Sequence, residues 1–210
     1  MNIYLMRHGE TPWNQQRKLQ GQSDIPLNEY GKELAQMTRT GMEETPIDAI
    51  YCSPLIRTQE TAEIMASKRE LSVQIDERLI EIGFGLGEGA LIDEIHEDDT
   101  SPLYDFLHRP DQFVPMEGGE SFPQVEKRCR SFMEEVLLPL EGKKEHVLLV
   151  THGAFLRIFI GCVQGYEYAQ FWERCRHKNC AVTSIALEGG HFTLLEEGKL
   201  YYEDKKQVDW

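Results

Sequence analysis

The stretch Ile3-Tyr4-Leu5-Met6-Arg7-His8-Gly9-Glu10-Thr11 sets the reading of this chain. Four apolar residues give way abruptly to an arginine and a histidine. A buried strand has no structural reason to end that way. A strand that delivers a cation and an imidazole to its carboxyl edge has a chemical one, because it builds an anion site. A second apolar run, Val147-Leu148-Leu149-Val150, ends alike in Thr151-His152-Gly153.

Outward from these two runs, strands are predicted at about residues 2–7, 47–52, 73–75 and 146–150. A helix starts at Asn28 as N-cap, with Tyr30, Leu34 and Met37 as its apolar stripe. Ser53-Pro54 signals another, serine capping and proline in the first turn, with Arg57 close behind and Thr58, Ala62 and Met65 continuing it. Residues 83–89 are glycine-rich and read as loop. Residues 91–108 are acidic and helical in pieces, and 110–120 are a proline- and glycine-punctuated connection. Ser121 opens a long helix whose stripe is Val125, Cys129, Phe132, Met133, Val136, Leu137 and Leu140. A helix at about 154–163 follows the fourth strand, and 181–187 with 192–195 form a terminal β pair joined by Gly189-Gly190. Strands alternating with helices predict a three-layer α/β/α sandwich on a mostly parallel central sheet. With no repeat and no dividing linker, residues 1–210 read as one domain with a short helical cap insertion at about 83–117.

Composition excludes several classes. A chain 40% hydrophobic and 28% charged is an ordinary globular protein. The formal charge of −14 would be repelled by nucleic acid and by anionic membrane, so neither is an expected partner. No run is long and apolar enough to span a bilayer, and no signal peptide is visible at the N-terminus. Five scattered cysteines (Cys52, Cys129, Cys162, Cys175, Cys180) read as reduced thiols, and the expected location is cytoplasmic. Cys175, His177 and Cys180 lie close in sequence but lack a matching second pair, so they read as packing and surface residues and no metal site is expected. His96, His108, His146, His177 and His191 read as solvated. Trp13 and Phe84 could line a cleft or pack elsewhere.

In open α/β sheets ligands bind beyond the carboxyl ends of the strands. Arg7, His8, Arg57, Glu81, His152 and Gly153 all follow strands, so the fold brings them together. Phosphoryl transfer needs a nucleophile, charge compensation for three equatorial oxygens and a proton for the leaving oxygen. A neutral imidazole keeps a free lone pair near neutrality, and arginines grip phosphate through paired planar hydrogen bonds. Glu81 can give a proton to the leaving alkoxide and later take one from water.

With Ser53-Pro54-Leu55-Ile56-Arg57-Thr58, Glu81 followed by Glu88-Gly89, and Gly118-Gly119-Glu120-Ser121 set beside the two histidine motifs, the chain resembles the histidine phosphatase superfamily, also described as phosphoglycerate mutase-like. The resemblance runs over roughly the first 155 residues. It implies that His8 is the nucleophile that becomes phosphohistidine and that Arg7, Arg57 and His152 form the phosphate pocket. Asn14, Gln20, Gly21 and the Gly153 amide would complete the pocket, with Glu81 as general acid and base. It also implies hydrolysis without metal or organic cofactor.

Within that family a phosphatase acting on a small phosphate monoester is favoured. Mutases carry a longer insertion after the glutamate, with a lysine-tyrosine-glycine segment and paired arginines, whereas between Ile82 and Glu117 the only arginine here is Arg109 and lysine is absent. A cofactor-dependent phosphoglycerate mutase and a non-catalytic phospho-ligand binding module are the alternatives; the second should have lost His8 or Glu81, and both are present. The residues name no substrate and no oligomeric state. Glu88, Asp93, Glu94, Glu97, Asp98, Asp99 and Asp105 give the insertion an acidic character. If they roof the cleft, they should disfavour a second anionic group on the substrate.

Overall fold

Alternate residues of a strand face opposite sides of a sheet, so apolar runs as dense as 3–6 and 147–150 need cover on both sides. The computed structural model, which describes residues 1–173 and 177–203, provides it. The elements are β1 (Asn2–Arg7), α1 (Pro12–Gln15), α2 (Glu29–Gly41), β2 (Ala49–Cys52), α3 (Ile56–Ala66), β3 (Val73–Ile75), α4 (Ile92–Glu97), α5 (Tyr104–His108), α6 (Phe122–Phe132), α7 (Leu138–Leu140), β4 (His146–Thr151), α8 (Gly153–Gln164), β5 (Val182–Glu188) and β6 (His191–Lys199). The strands form one sheet in the order β3-β2-β4-β1-β5-β6. Strands β3, β2, β4 and β1 are parallel, and the terminal hairpin joins antiparallel through β5.

Ile3, Leu5, Val147 and Leu149 face Val125, Cys129 and Phe132 of α6 and Phe155 and Phe159 of α8. On the other side, Met6, Ile50, Leu148 and Val150 lie under Leu34 and Ala35 of α2 and Ala62 and Met65 of α3. Each fully buried large apolar side chain here contributes about 1.5–3 kcal/mol of transfer free energy. The chain leaves β1 for α2 on one face and leaves β4 for α8 on the other. The neighbouring ends of β1 and β4 are therefore a switch point, where such sheets open a crevice.

Local chemistry explains the boundaries. Asn28 caps α2 by accepting from the Gly31 amide at 2.7 Å, and its amide donates to Glu10 at 2.8 Å. Glycine is required at 31, because a Cβ there would lie 2.1 Å from the Glu10 carbonyl oxygen. That close approach pins the loop after β1 against α2. Ser121 and Gln124 form a capping box on α6. The long helix expected from Ser121 does reach Leu140, but it widens to a π turn over Met133–Leu137 before Pro139, whose ring and missing N–H forbid the ordinary bond to residue 135. The helix expected from Ser53 starts later, at Ile56, and has no side-chain cap. The serine is engaged elsewhere, as described below.

Residues 83–117 leave and rejoin the body at one point. The Leu86 amide donates to the Glu117 carbonyl at 3.1 Å and the Glu120 amide to the Gly83 carbonyl at 2.8 Å. Gly85 has φ +56°, and a Cβ on it would lie 2.0 Å from the Glu117 oxygen, so the closure needs glycine. A second segment, 165–173 after α8, lies against the first: Trp172 Nε1 donates to the Phe106 carbonyl at 2.5 Å. The sequence signalled only the first. No helix among the described residues is long and apolar enough to cross a membrane.

Candidate active site

A cleft opens where β1 and β4 end, and Arg7, His8, Asn14, Gln20, Gly21, Arg57, Glu81 and Gly153 all contribute to its wall. His8 is 3% exposed. Its Nδ1 lies 2.7 Å from the Gly9 carbonyl oxygen, which can only accept, so Nδ1 carries the proton and Nε2 keeps the lone pair. Burial, followed by the nearby Arg57 and Arg7 charges, holds the imidazole well below the ordinary histidine range. The ring is neutral at neutral pH.

Arg57 is fully buried and braced by the protein. It donates to the Ser23 carbonyl at 2.8 Å, to the Gly21 carbonyl at 2.7 Å and, through Nε, to Nδ1 of His152 at 3.2 Å. Gly21 thus serves the site through its carbonyl. Arg7 is held by the His177 carbonyl at 2.7 Å. Desolvation brings both guanidinium groups down to about 10, which leaves them charged at neutral pH. Asn14 Oδ1 accepts from the Thr11 amide at 3.1 Å, and Gln20 Oε1 accepts from the Thr11 hydroxyl at 2.9 Å. Thr11 thereby fixes both oxygens and turns the two NH₂ groups into the donors these residues can offer. Gly153 opens α8, and its amide belongs to the positive end of that helix.

Two residues occupy positions the sequence did not foretell. His152 has no exposed surface and lies behind the cleft wall. Its Nδ1 must accept from Arg57, so its Nε2 donates to Ser53 Oγ at 2.7 Å. Burial and Arg57 hold it, too, well below the ordinary range. Ser53 is accordingly the acceptor that fixes this histidine and not the cap of α3. Glu81 accepts from the Phe155 amide at 2.9 Å (Oε1), the Ala154 amide at 3.1 Å (Oε2) and the Ile82 amide at 3.0 Å (Oε1). It stands at the cleft while capping the first turn of α8. Arg128 donates to the Glu81 carbonyl at 3.0 Å and the Arg78 carbonyl at 2.8 Å, so a cation on α6 shapes the backbone that carries Glu81.

The outer cleft was not legible. Lys18, His96, Arg157, Trp172 and Lys178 join the wall, and Phe84 lies on it, whereas Trp13 packs beside Gly89. The acidic residues of the insertion do not roof the cleft: Glu81 is the one carboxylate on its wall among the described residues. Asp93 pairs with Arg17 at 2.8 Å, Asp105 pairs with Arg109 at 2.5 Å, and Glu88 accepts from the Gln22 amide at 2.8 Å. His177, expected at the surface, is 4% exposed, with Nε2 2.9 Å from the hydroxyl of Thr183 on β5. Cys180 is buried as well, and Cys175 lies outside the described residues.

Comparison with known proteins gives the family. A model of the histidine phosphatase superfamily (branch 1) matches residues 3–199. The chain is 34% identical over 187 residues to a probable phosphoglycerate mutase GpmB of Cronobacter sakazakii, spanning 88% of this chain and 84% of that one. It is 32% identical over 176 residues to phosphoserine phosphatase 1 of Hydrogenobacter thermophilus, spanning 82% and 80%. The solved structure of Bacillus stearothermophilus YhfR superposes with a TM-score of 0.87 at 35% identity, over 95% of this chain and 97% of that one. The protein, with His8 on the cleft wall and His152 buried behind it, belongs to the histidine phosphatase superfamily, branch 1, as a phosphatase-type enzyme.

Proposed function

We propose that this protein is a phosphomonoesterase that hydrolyses a small phosphorylated metabolite through a phosphohistidine intermediate. The observation that carries the reading is the locked His8 tautomer: Nδ1 is committed to the Gly9 carbonyl, so Nε2 is the nucleophile the cleft receives. Nε2 attacks phosphorus in line as the ester P–O bond breaks. Arg7 and Arg57 compensate the equatorial oxygens, assisted by the Asn14 and Gln20 amides and the Gly153 N–H. Glu81 donates its proton to the leaving alkoxide, and its carboxylate then takes one from the water that cleaves the phosphohistidine. His152 acts one step back, setting the plane of the Arg57 guanidinium. Arginines and amides supply the charge compensation, so no step asks for a metal and EDTA should leave the rate unchanged. On this reading residues 1–210 are one catalytic domain in which 83–117 supplies part of the roof.

Rapid acid or alkaline quench of enzyme with a phosphate ester tests the reading. Acid-labile, alkali-stable phosphate on His8 and stoichiometric release of inorganic phosphate support it. Turnover without a His8 adduct refutes it. A phosphoglycerate mutase is the second reading, favoured by the names of some relatives and by the cations of the outer cleft, which do not come from the segment where mutases carry theirs. It shares the phosphohistidine and differs in the acceptor. Interconversion of 2- and 3-phosphoglycerate faster than phosphate release would select it.

A further inference from the structure

The motif Gly118-Gly119-Glu120-Ser121 brings a glutamate that the reaction scheme leaves without a part. Its surroundings supply one. Residues 78–81 follow β3 but lie outside the sheet, so no neighbouring strand serves their carbonyl groups. Side chains serve them instead. Arg128 donates to the carbonyls of Arg78 at 2.8 Å, Ile80 and Glu81 at 3.0 Å, and the Thr151 hydroxyl donates to that of Leu79 at 2.8 Å. The Glu81 carbonyl accepts a second bond, from Gln22 Nε2 at 3.1 Å.

Three N–H groups of one guanidinium thus hold the backbone that carries Glu81, and its other two fix where that guanidinium sits. Arg128 Nε donates to Glu120 Oε1 and Nη2 to Oε2, each at 3.1 Å, a two-point fork that sets its plane. All five donors of Arg128 are then in use. Glu120 Oε2 also accepts from the Gly83 amide and from Gln22 Nε2, both at 3.0 Å. A lysine has three donors and no plane, so it cannot reproduce this pattern. At the other end of Glu81 the carboxylate is tied to the Ala154 and Phe155 amides. One residue is clamped through its carbonyl and its carboxylate alike. A general acid needs such control, because a misplacement of about 1 Å can cost about 10²-fold in rate.

Resting on the phosphatase reading, in which Glu81 is the acid, we propose that Arg128 and Glu120, assisted by Gln22, are positioning residues for proton transfer by Glu81. Glu120 orients Arg128, and Arg128 holds the backbone of Glu81. Neither is on the cleft wall, so neither meets the substrate. Gln22 joins this clamp to the phosphate pocket, since its neighbour Gly21 accepts from Arg57.

The experiment compares kcat/KM for propyl phosphate and for p-nitrophenyl phosphate in the full-length enzyme. This constant covers transfer to His8, the step in which Glu81 gives its proton, and p-nitrophenolate leaves with little need of one. Arg128→Lys and Glu120→Gln should lower the propyl value about 10- to 100-fold and the p-nitrophenyl value less than about threefold. Gln22→Ala, at an exposed position, should lower the propyl value about two- to tenfold, the worth of one hydrogen bond. In a Glu81→Gln background Arg128→Lys should add little to the loss for either ester. A folded Arg128→Lys or Glu120→Gln enzyme that loses both esters equally, or neither, overturns the proposal. If circular dichroism shows that neither variant folds, Gln22→Ala decides by the same criterion. Equal losses for both esters in Glu81→Gln alone overturn the acid role of Glu81 instead, and a wild type that hydrolyses neither ester overturns the phosphatase reading.

Discussion

His152 donates through Nε2 to the Ser53 hydroxyl oxygen at 2.7 Å, and that bond decides what the histidine can do for Arg57. With Nε2 protonated, Nδ1 is an acceptor, and Arg57 Nε–H has a fixed partner. Ser53→Ala removes the acceptor. The imidazole is then free to take the other tautomer, which would point an N–H at the guanidinium. We expect KM for a simple aryl phosphate to rise several-fold with a smaller fall in kcat, and Ser53→Thr to restore most of the loss. Unchanged kinetics in Ser53→Ala would remove the relay from Ser53 through His152 to Arg57.

His8→Ala should abolish turnover and leave the fold intact, because the side chain contributes to the cleft and not to either apolar layer. Far-UV circular dichroism and the urea midpoint check the fold, and phosphate release checks turnover. Residual activity above a trace would point to direct attack by water.

Glu81→Gln tests two roles at once. Loss of a transferable proton should lower kcat about 10²–10⁴-fold for alkyl phosphates and far less for p-nitrophenyl phosphate, whose leaving group needs little protonation. The glutamine also keeps one oxygen where the carboxylate offered two to the Ala154 and Phe155 amides. Its NH₂ would confront an amide donor, so a stability loss of about 1 kcal/mol is expected, typical of a lost helix cap. A stability loss with equal rate losses for both kinds of ester would leave Glu81 as a cap alone.

Stability should fall as pH is lowered through the ordinary histidine range. In the unfolded chain His8 and His152 bind protons near pH 6.5, whereas in the fold both are held neutral well below it. The unfolded state therefore binds more protons, and unfolding free energy drops by up to about 1.4 kcal/mol per pH unit for each group as pH falls below 6.5, with the full stability present above it. Urea midpoints at pH 7.5, 6 and 5 measure the slope. His152→Asn should flatten it, and a flat wild-type profile over that range would contradict the buried neutral pair.

The strand ends, the two histidines and the capping of α2 by Asn28 were legible because each rests on chemistry within a few residues. The outer cleft was not. Lys18, Phe106, Arg157 and Trp172 come from four separate parts of the chain and meet through tertiary packing alone. One signal was available: Arg157 follows Gly153 by one helical turn, so a helix that presents its first amide to the ligand presents this cation beside it. Ser53 misled for a related reason. Serine before proline is a sound local signal for a helix start, and a long-range bond to His152 took the hydroxyl. The acidic residues of the insertion lie off the cleft wall, Asp93 paired with Arg17 and Asp105 with Arg109.

The register of β1 on β4 sets Arg7 opposite Thr151, so His8 and His152 are the next rung of one ladder. Their ring centroids, 5.3 Å apart, sit near the ~4.8 Å spacing of neighbouring strands. One residue added to or removed from either strand would send its histidine to the far side of the sheet, and a two-residue change would carry it about 6.6 Å along the ladder. The connections carry no such constraint, and two of them, 83–117 and 165–173, contribute to the mouth. The strand ends that carry the two histidines are therefore rigidly indexed, whereas the loops around the mouth can change without altering a strand.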